Sequence, residues 1–165
     1  MRAVLISLMA LTLSACASAE RLGAANDVHA LLVAIRDDDG ATFDAHVDHE
    51  ALKQELQTKL ADRMAKNDKM KGLAALLGPS MMEFADQALI QPRTFKFVAE
   101  QYGYKPDTKI PNPVVIAQAL KTLPDGRVCA TKKKDGPCVL TFTKENGKWK
   151  LTSFDGDSST LRLKL

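Results

Sequence analysis

Residues 139–154 read VLTFTKENGKWKLTSF, two alternating runs on either side of Asn146-Gly147. That dipeptide tolerates positive φ and so suits the type I′ turn of a tight hairpin. With Asn146 and Gly147 as the loop, Glu145 faces Lys148, Lys144 faces Trp149, Phe142 faces Leu151 and Leu140 faces Ser153. Alternation puts Leu140, Phe142, Trp149 and Leu151 on one face and Thr141, Thr143, Lys150 and Thr152 on the other. A hairpin alone is marginal in water, so the apolar face needs a cover. The leucine-rich first half of the chain is the large apolar supply, and the expected class is α+β, with N-terminal helices packed on a C-terminal curved antiparallel sheet.

At 165 residues and 45% hydrophobic content the chain has room for one domain with a real core. Its net charge of +3 is mild and does not point to nucleic acid, but it is unevenly spread. Glu20 to Glu100 holds ten basic against fourteen acidic residues, a net −4, whereas Gln101 to Leu165 holds twelve against six, a net +6. The plain reading is a solvated surface with attraction between the helical and strand halves; the other is a basic sheet face that meets anionic lipid or glycan.

The N-terminus carries one charge, Arg2, and then an apolar stretch from Ala3 to Leu13 broken by Ser7 and Thr12. This is shorter than the roughly 20 residues a bilayer span needs and reads as a secretory signal peptide. Leu13-Ser14-Ala15-Cys16 resembles the bacterial lipobox, whose cysteine is acylated and becomes the mature N-terminus. The expectation is a leader at 1–16, a tether at 17–26 and a single domain at 27–165. Acyl chains on Cys16 would hold the protein on the envelope facing the periplasm, and Ala17 where an inner-membrane protein would have Asp favours the outer membrane. The alternative cut after Ala17-Ser18-Ala19 would release a soluble periplasmic protein.

With Cys16 set aside, Cys129 and Cys138 remain, an even number for an oxidising compartment. They bracket ATKKKDGP, whose Asp135-Gly136-Pro137 signals a reversal, so a structural disulfide is expected, with Cys129 opposite Cys138 and Val128 opposite Val139. The Lys132-Lys133-Lys134 tip of that loop reads as solvated charge, with contact to lipid headgroups or glycan as the alternative.

Asp27 is the expected cap of a first helix through Ile35, with Val28, Leu31, Leu32 and Ile35 on one stripe and Asp37-Asp38-Asp39-Gly40 as its stop. Phe43 and Val47 lead to Asp48, an N-cap for a helix bearing Leu52, Leu56, Leu60 and Met64. After a polar break at Asn67 to Gly72, a third helix carries Leu73, Leu76 and Leu77, is kinked at Gly78-Pro79, and resumes through Met81, Met82 and Phe84. Pro92 marks another break, and Thr94 caps a helix with Phe95, Val98 and Tyr102 inside. Gly103 to Pro113 is an extended connector, Val114 to Leu123 leans to a short helix, and strands at Arg127 to Lys132 and Thr160 to Leu165 complete the sheet.

Metal and catalytic signals are thin. The Asp37–Asp39 run lacks the alternation and terminal Glu of a calcium loop. In His46-Val47-Asp48-His49, a capping role for Asp48 sends the two imidazoles to opposite sides of the helix start, against a shared ion. His29 reads as a partly buried structural histidine. No metal site, cofactor or catalytic constellation is expected.

The capped first helix, the Asp39-Gly40 break, Val47-Asp48 before the Leu52/Leu56 helix, the Pro92 segment and Gly147-Lys148-Trp149-Lys150-Leu151 together resemble the bacterial domain-of-unknown-function family numbered 2939. The resemblance implies an envelope protein without an assigned activity. The order of helices before a curved sheet also looks like the cystatin-like cone of nuclear-transport-factor-like proteins, an analogy that transfers no chemistry. The leading functional expectation is a non-enzymatic envelope lipoprotein that binds or scaffolds another envelope component. One alternative is a carrier of a lipid or other apolar ligand, in a pocket lined by Met81, Met82, Phe84, Phe142 and Trp149. A small hydrolase using His46 or His49 with Asp48 is the remaining one.

Overall fold

The computed structural model describes residues 2–66, 89–101, 104, 105, 107–133 and 136–154. The predicted third helix with Met81, Met82 and Phe84, the polar break before it, Tyr102, Lys134 and the strand at Thr160 to Leu165 lie outside the described residues. What is described is α+β, as expected: helices α1 (Arg2–Asp37), α2 (Gly40–Ala45), α3 (His49–Ala65), α4 (Pro92–Gln101) and α5 (Pro113–Ala119), and strands β1 (Leu120–Thr122), β2 (Val128–Thr131), β3 (Cys138–Glu145) and β4 (Lys148–Phe154). The chain divides into two compact units, one made of Met1–Ala30 with Ile110–Leu165 and the other of Leu31–Lys109.

The first unit holds the sheet, a meander in the order β1-β2-β3-β4 with every neighbour antiparallel. Its last hairpin turns at Asn146 and Gly147, both at positive φ (50° and 83°), as the type I′ reading requires. Glu145, Lys144 and Phe142 pair with Lys148, Trp149 and Leu151, as predicted. The next pair departs from prediction. Leu140 lies opposite Phe154 and not Ser153, because the register shifts between Thr141 and Phe142 and leaves Thr152 as an extra residue on β4. The Thr152 hydroxyl bonds the Thr141 carbonyl at 3.3 Å and the Thr143 hydroxyl at 3.0 Å, so the bulge is held by side chains. Phe142, Trp149 and Leu151 are buried as the core face, while beyond the bulge Leu140 is only half-buried. Each such large apolar side chain contributes about 1.5–3 kcal/mol on full burial.

The disulfide is present, joining Cys129 to Cys138 with a Cα–Cα distance of 5.5 Å. The predicted register around it is not. Cys129 lies opposite Thr141, and Cys138 lies opposite Thr131, because a second shift between Ala130 and Thr131 takes an extra residue into β3. The crosslink therefore runs diagonally between β2 and β3 and spans the irregularity. The stretch Val114 to Leu123 is both of the things its composition suggests. Asn112 caps α5 through Val115 N (3.1 Å), Pro113 supplies the first helical residue, and from Leu120 the chain is strand β1.

The largest correction concerns α1. The helix does not begin at an Asp27 cap; it runs from Arg2 to Asp37, and the expected tether at 17–26 is helical, with Ala24 and Ala25 fully buried. Alanine favours helix more than any other residue, and a run of small side chains lets a helix approach a neighbour closely. At Gly23 a Cβ would sit 3.6 Å from the Trp149 indole nitrogen, so this stretch lies against the buried ring. Asp27, far from capping anything, accepts the backbone N–H of Trp149 at 2.8 Å. Trp149 is in the second pair from the turn, where its N–H points away from β3, toward the outer side of β4, the last of the described strands. Asp27 thus satisfies an edge-strand donor. Glu20 reaches Lys144 at 3.3 Å, and His29, the expected structural histidine, shares a hydrogen between Nδ1 and the Pro111 carbonyl at 2.9 Å.

In the second unit α1 ends at Asp37 and the chain turns at Asp38, a non-glycine residue at φ 59°. Asp39 then caps α2: one carboxylate oxygen accepts Thr42 N at 3.1 Å and the other accepts the Thr42 hydroxyl at 2.6 Å. Asp48 caps α3 as predicted, accepting Ala51 N at 3.0 Å. The fourth helix does not start at a Thr94 cap. Pro92 is its first residue, and the Gln91 carbonyl takes the N–H groups of Thr94 and Phe95. Phe43, Val47, Leu52 and Ile90 are buried here, with Phe43 edge-on to Phe95 at a centroid distance of 5.3 Å.

Candidate functional site

The second unit contains an open cleft of about 520 Å³, lined by Asp38, Gly40, Asp44, His49, Ile90, Gln91, Pro92 and Arg93. Local structure sets each wall. The left-handed Asp38 turns the chain out of α1, Gly40 opens α2, and His49 is the first residue of α3, behind the Asp48 cap. Ile90 to Arg93 enter where Pro92 starts α4.

One ion pair and one histidine–carboxylate hydrogen bond furnish the cleft. Arg93 Nε donates to Asp38 at 2.6 Å, and that bond holds the guanidinium still more firmly protonated than usual. His49 Nε2 meets Asp44 at 2.9 Å, with the imidazole ring also edge-on to Phe43 at 6.2 Å. Outside the wall, the Thr42 hydroxyl holds Asp39 below the usual carboxylate range, and Arg36 does the same for Asp37. The cleft therefore presents a mosaic of both charges above an apolar floor of Ile90 and Pro92. Among the described lining residues, two carboxylates, a guanidinium and an imidazole are groups able to hold a polar ligand.

The residues singled out in the His46–His49 stretch separate. His46 is buried and its Nδ1 bonds the Thr42 carbonyl at 2.8 Å, Asp48 is committed to the α3 cap, and only His49 reaches the cleft. Among the described residues no group of three or more His, Cys, Asp or Glu is placed to hold a metal ion. Of the predicted apolar pocket, Phe142 and Trp149 are packed in the core of the sheet unit, and Met81, Met82 and Phe84 lie outside the described residues. Cys16 falls within α1, and its side chain is not among those described. No described helix is long and apolar enough to cross a membrane.

Sequence reasoning missed the cleft. Arg93 and Asp38 are 55 residues apart, and neither stands in a motif.

The family model described as "Protein of unknown function (DUF2939)" matches residues 7–97. All eight cleft residues fall inside the match, whereas the hairpin at 139–154, with the Gly147–Leu151 motif, and the disulfide fall outside it. No curated protein and no solved structure matches the chain.

Proposed function

The chain belongs to the DUF2939 family, whose description assigns no activity, and from that premise we propose that it is a lipid-anchored binding module of the bacterial cell envelope. The carrying observation is the apolar leader from Ala3 that runs directly into Leu13-Ser14-Ala15-Cys16. The Cys129–Cys138 disulfide supports it, since such crosslinks persist in oxidising compartments. In this reading Cys16 carries the acyl chains, the protein faces the periplasm, Ala17 favours the outer membrane, and the Asp38/Arg93 and Asp44/His49 cleft is the ligand-facing surface. The same reading takes the sheet unit as a cystatin-like cone; the two register shifts, which curve a sheet, and the helix laid along the Trp149 face support it.

The test is metabolic labelling with an alkyne fatty acid in a bacterial host, followed by capture of the protein. Label on the parent and none on Cys16→Ser is the expected result. An unlabelled parent, with a mature N-terminus at Glu20, would end the anchored reading.

A further inference from the structure

We propose that the β3–β4 hairpin tip, carrying Lys144, Lys148 and Lys150, is a membrane-contacting surface that rests on the anionic phospholipid headgroups of the leaflet into which Cys16 is anchored. The inference builds on the lipid-anchored reading above and adds which part of the protein the anchor presses against the membrane.

Its basis is distance along the chain. The residues expected to form a loose tether are helical, and Glu20 is bonded to Lys144 of the sheet at 3.3 Å. Gly23 then lies against Trp149 and Asp27 holds the Trp149 amide. Only Ala17, Ser18 and Ala19 stand between Cys16 and Glu20. Four steps of chain span about 6 Å as helix and at most about 14 Å fully extended. An acylated cysteine sits at the boundary of the hydrocarbon, and the headgroup layer above it is roughly 5–8 Å deep. Lys144 is therefore kept at, or within about one Debye length of, the headgroups, where screening in physiological salt acts over about 8 Å.

Charge in the hairpin itself fits such a surface. Lys144, Lys148 and Lys150 outnumber Glu145 there, Glu20 and Asp27 of α1 bond the Lys144 side chain and the Trp149 amide, and Lys148 is exposed beyond the Lys144–Trp149 pair. The other basic cluster, at Lys132 and Lys133, is the more conspicuous one in the sequence, but the meander puts it at the opposite end of β3. Eight strand residues separate the two ends, about 26 Å. One anchor of this length cannot bring both ends of an upright sheet into headgroup range, and it is attached beside the hairpin.

The lipidated protein, produced with its leader in a Gram-negative host, is reconstituted either in neutral detergent micelles or in vesicles of phosphatidylcholine mixed with phosphatidylglycerol. Lysines are footprinted with a water-soluble acetylating reagent and read by mass spectrometry, which also reads the acyl group on Cys16. Each lysine at an anionic surface gains about fivefold in occupancy of the headgroup layer. Lys144 and Lys148 should therefore label about fivefold more slowly on vesicles than in micelles, Lys132 and Lys133 should label equally in both, and high salt should erase the difference. Protection of Lys132 and Lys133 equal to that of the tip would overturn the proposal, as would no protection of Lys148 on protein whose Cys16 is acylated. Absence of the acyl group would instead remove the anchored reading and this inference with it.

Discussion

Replacing Asp27 by Ala tests the joint between α1 and the sheet. Trp149 is buried, and its amide donates to the Asp27 carboxylate at 2.8 Å from the side of β4 that faces away from β3. A hydrogen bond to a charged group contributes about 1.5–3 kcal/mol, and the alanine variant leaves the donor without that acceptor in a place water reaches poorly. Against this, alanine favours helix over aspartate by up to about 0.7 kcal/mol. The expected net loss is about 1–2.5 kcal/mol, a drop in Tm of about 3–8 °C for a chain of this size. Asp27→Asn keeps an acceptor without the charge and should lose about half as much. Urea denaturation gives the stability, and amide hydrogen exchange gives the location: protection at Trp149 should fall in Asp27→Ala, while Thr143, hydrogen-bonded within the hairpin, keeps its own. Stability within about 0.5 kcal/mol of the parent, with the Trp149 amide still slow to exchange, would refute the reasoning, because it would mean the edge donor is satisfied without Asp27.

Three other outcomes follow from the same geometry. Reducing the protein, or replacing Cys129 and Cys138 together by Ser, should cost about 2.7 kcal/mol on the chain-entropy relation for a loop of about ten residues, seen as a lower urea midpoint at an altered m-value. Gly23→Ala should raise stability by about 0.5–1 kcal/mol, since its Cβ meets the indole at an ordinary 3.6 Å contact and the helix loses a glycine, whereas Gly23→Leu should lower it by pushing Trp149 off the helix; thermal melts of the two variants read the opposite signs. The carboxyl groups of Asp39 and Asp125 are held below the usual range by Thr42 and by Arg127, so the stability they contribute is present above about pH 4 and is lost as the pH falls through their folded-state values. A stability profile between neutral and strongly acid pH should accordingly fall less steeply below about pH 4 in Asp39→Ala than in the parent.

How far the sequence could be read depended on whether a feature was local. Asn146-Gly147 and period-two alternation fix a hairpin within a few residues, and three of its four predicted pairs are observed. The fourth fails at Thr152, where a bulge leaves no mark in the hydrophobic pattern because threonine is at home in either register. The disulfide followed from the cysteine count and compartment, but its diagonal geometry depends on a second bulge of the same silent kind. Residues 17–26 look like a linker when scored by hydrophobicity alone because their side chains are small; in the fold Gly23 lets the helix approach Trp149 closely, and Ala24 and Ala25 are fully buried. The cleft was illegible for a further reason. Its two polar contacts join residues of no unusual type, one of them across 55 positions, and a single sequence carries no signal for such a meeting.

The chain contains one tryptophan, and it is the residue that α1 covers. Its fluorescence is consequently an optical gauge confined to the sheet unit, whereas far-ultraviolet circular dichroism also weighs the helices of Leu31–Lys109. Melts followed by the two signals coincide if both units unfold in one cooperative step and part company if either gives way first, so whether the protein behaves as one thermodynamic body can be measured without adding any label.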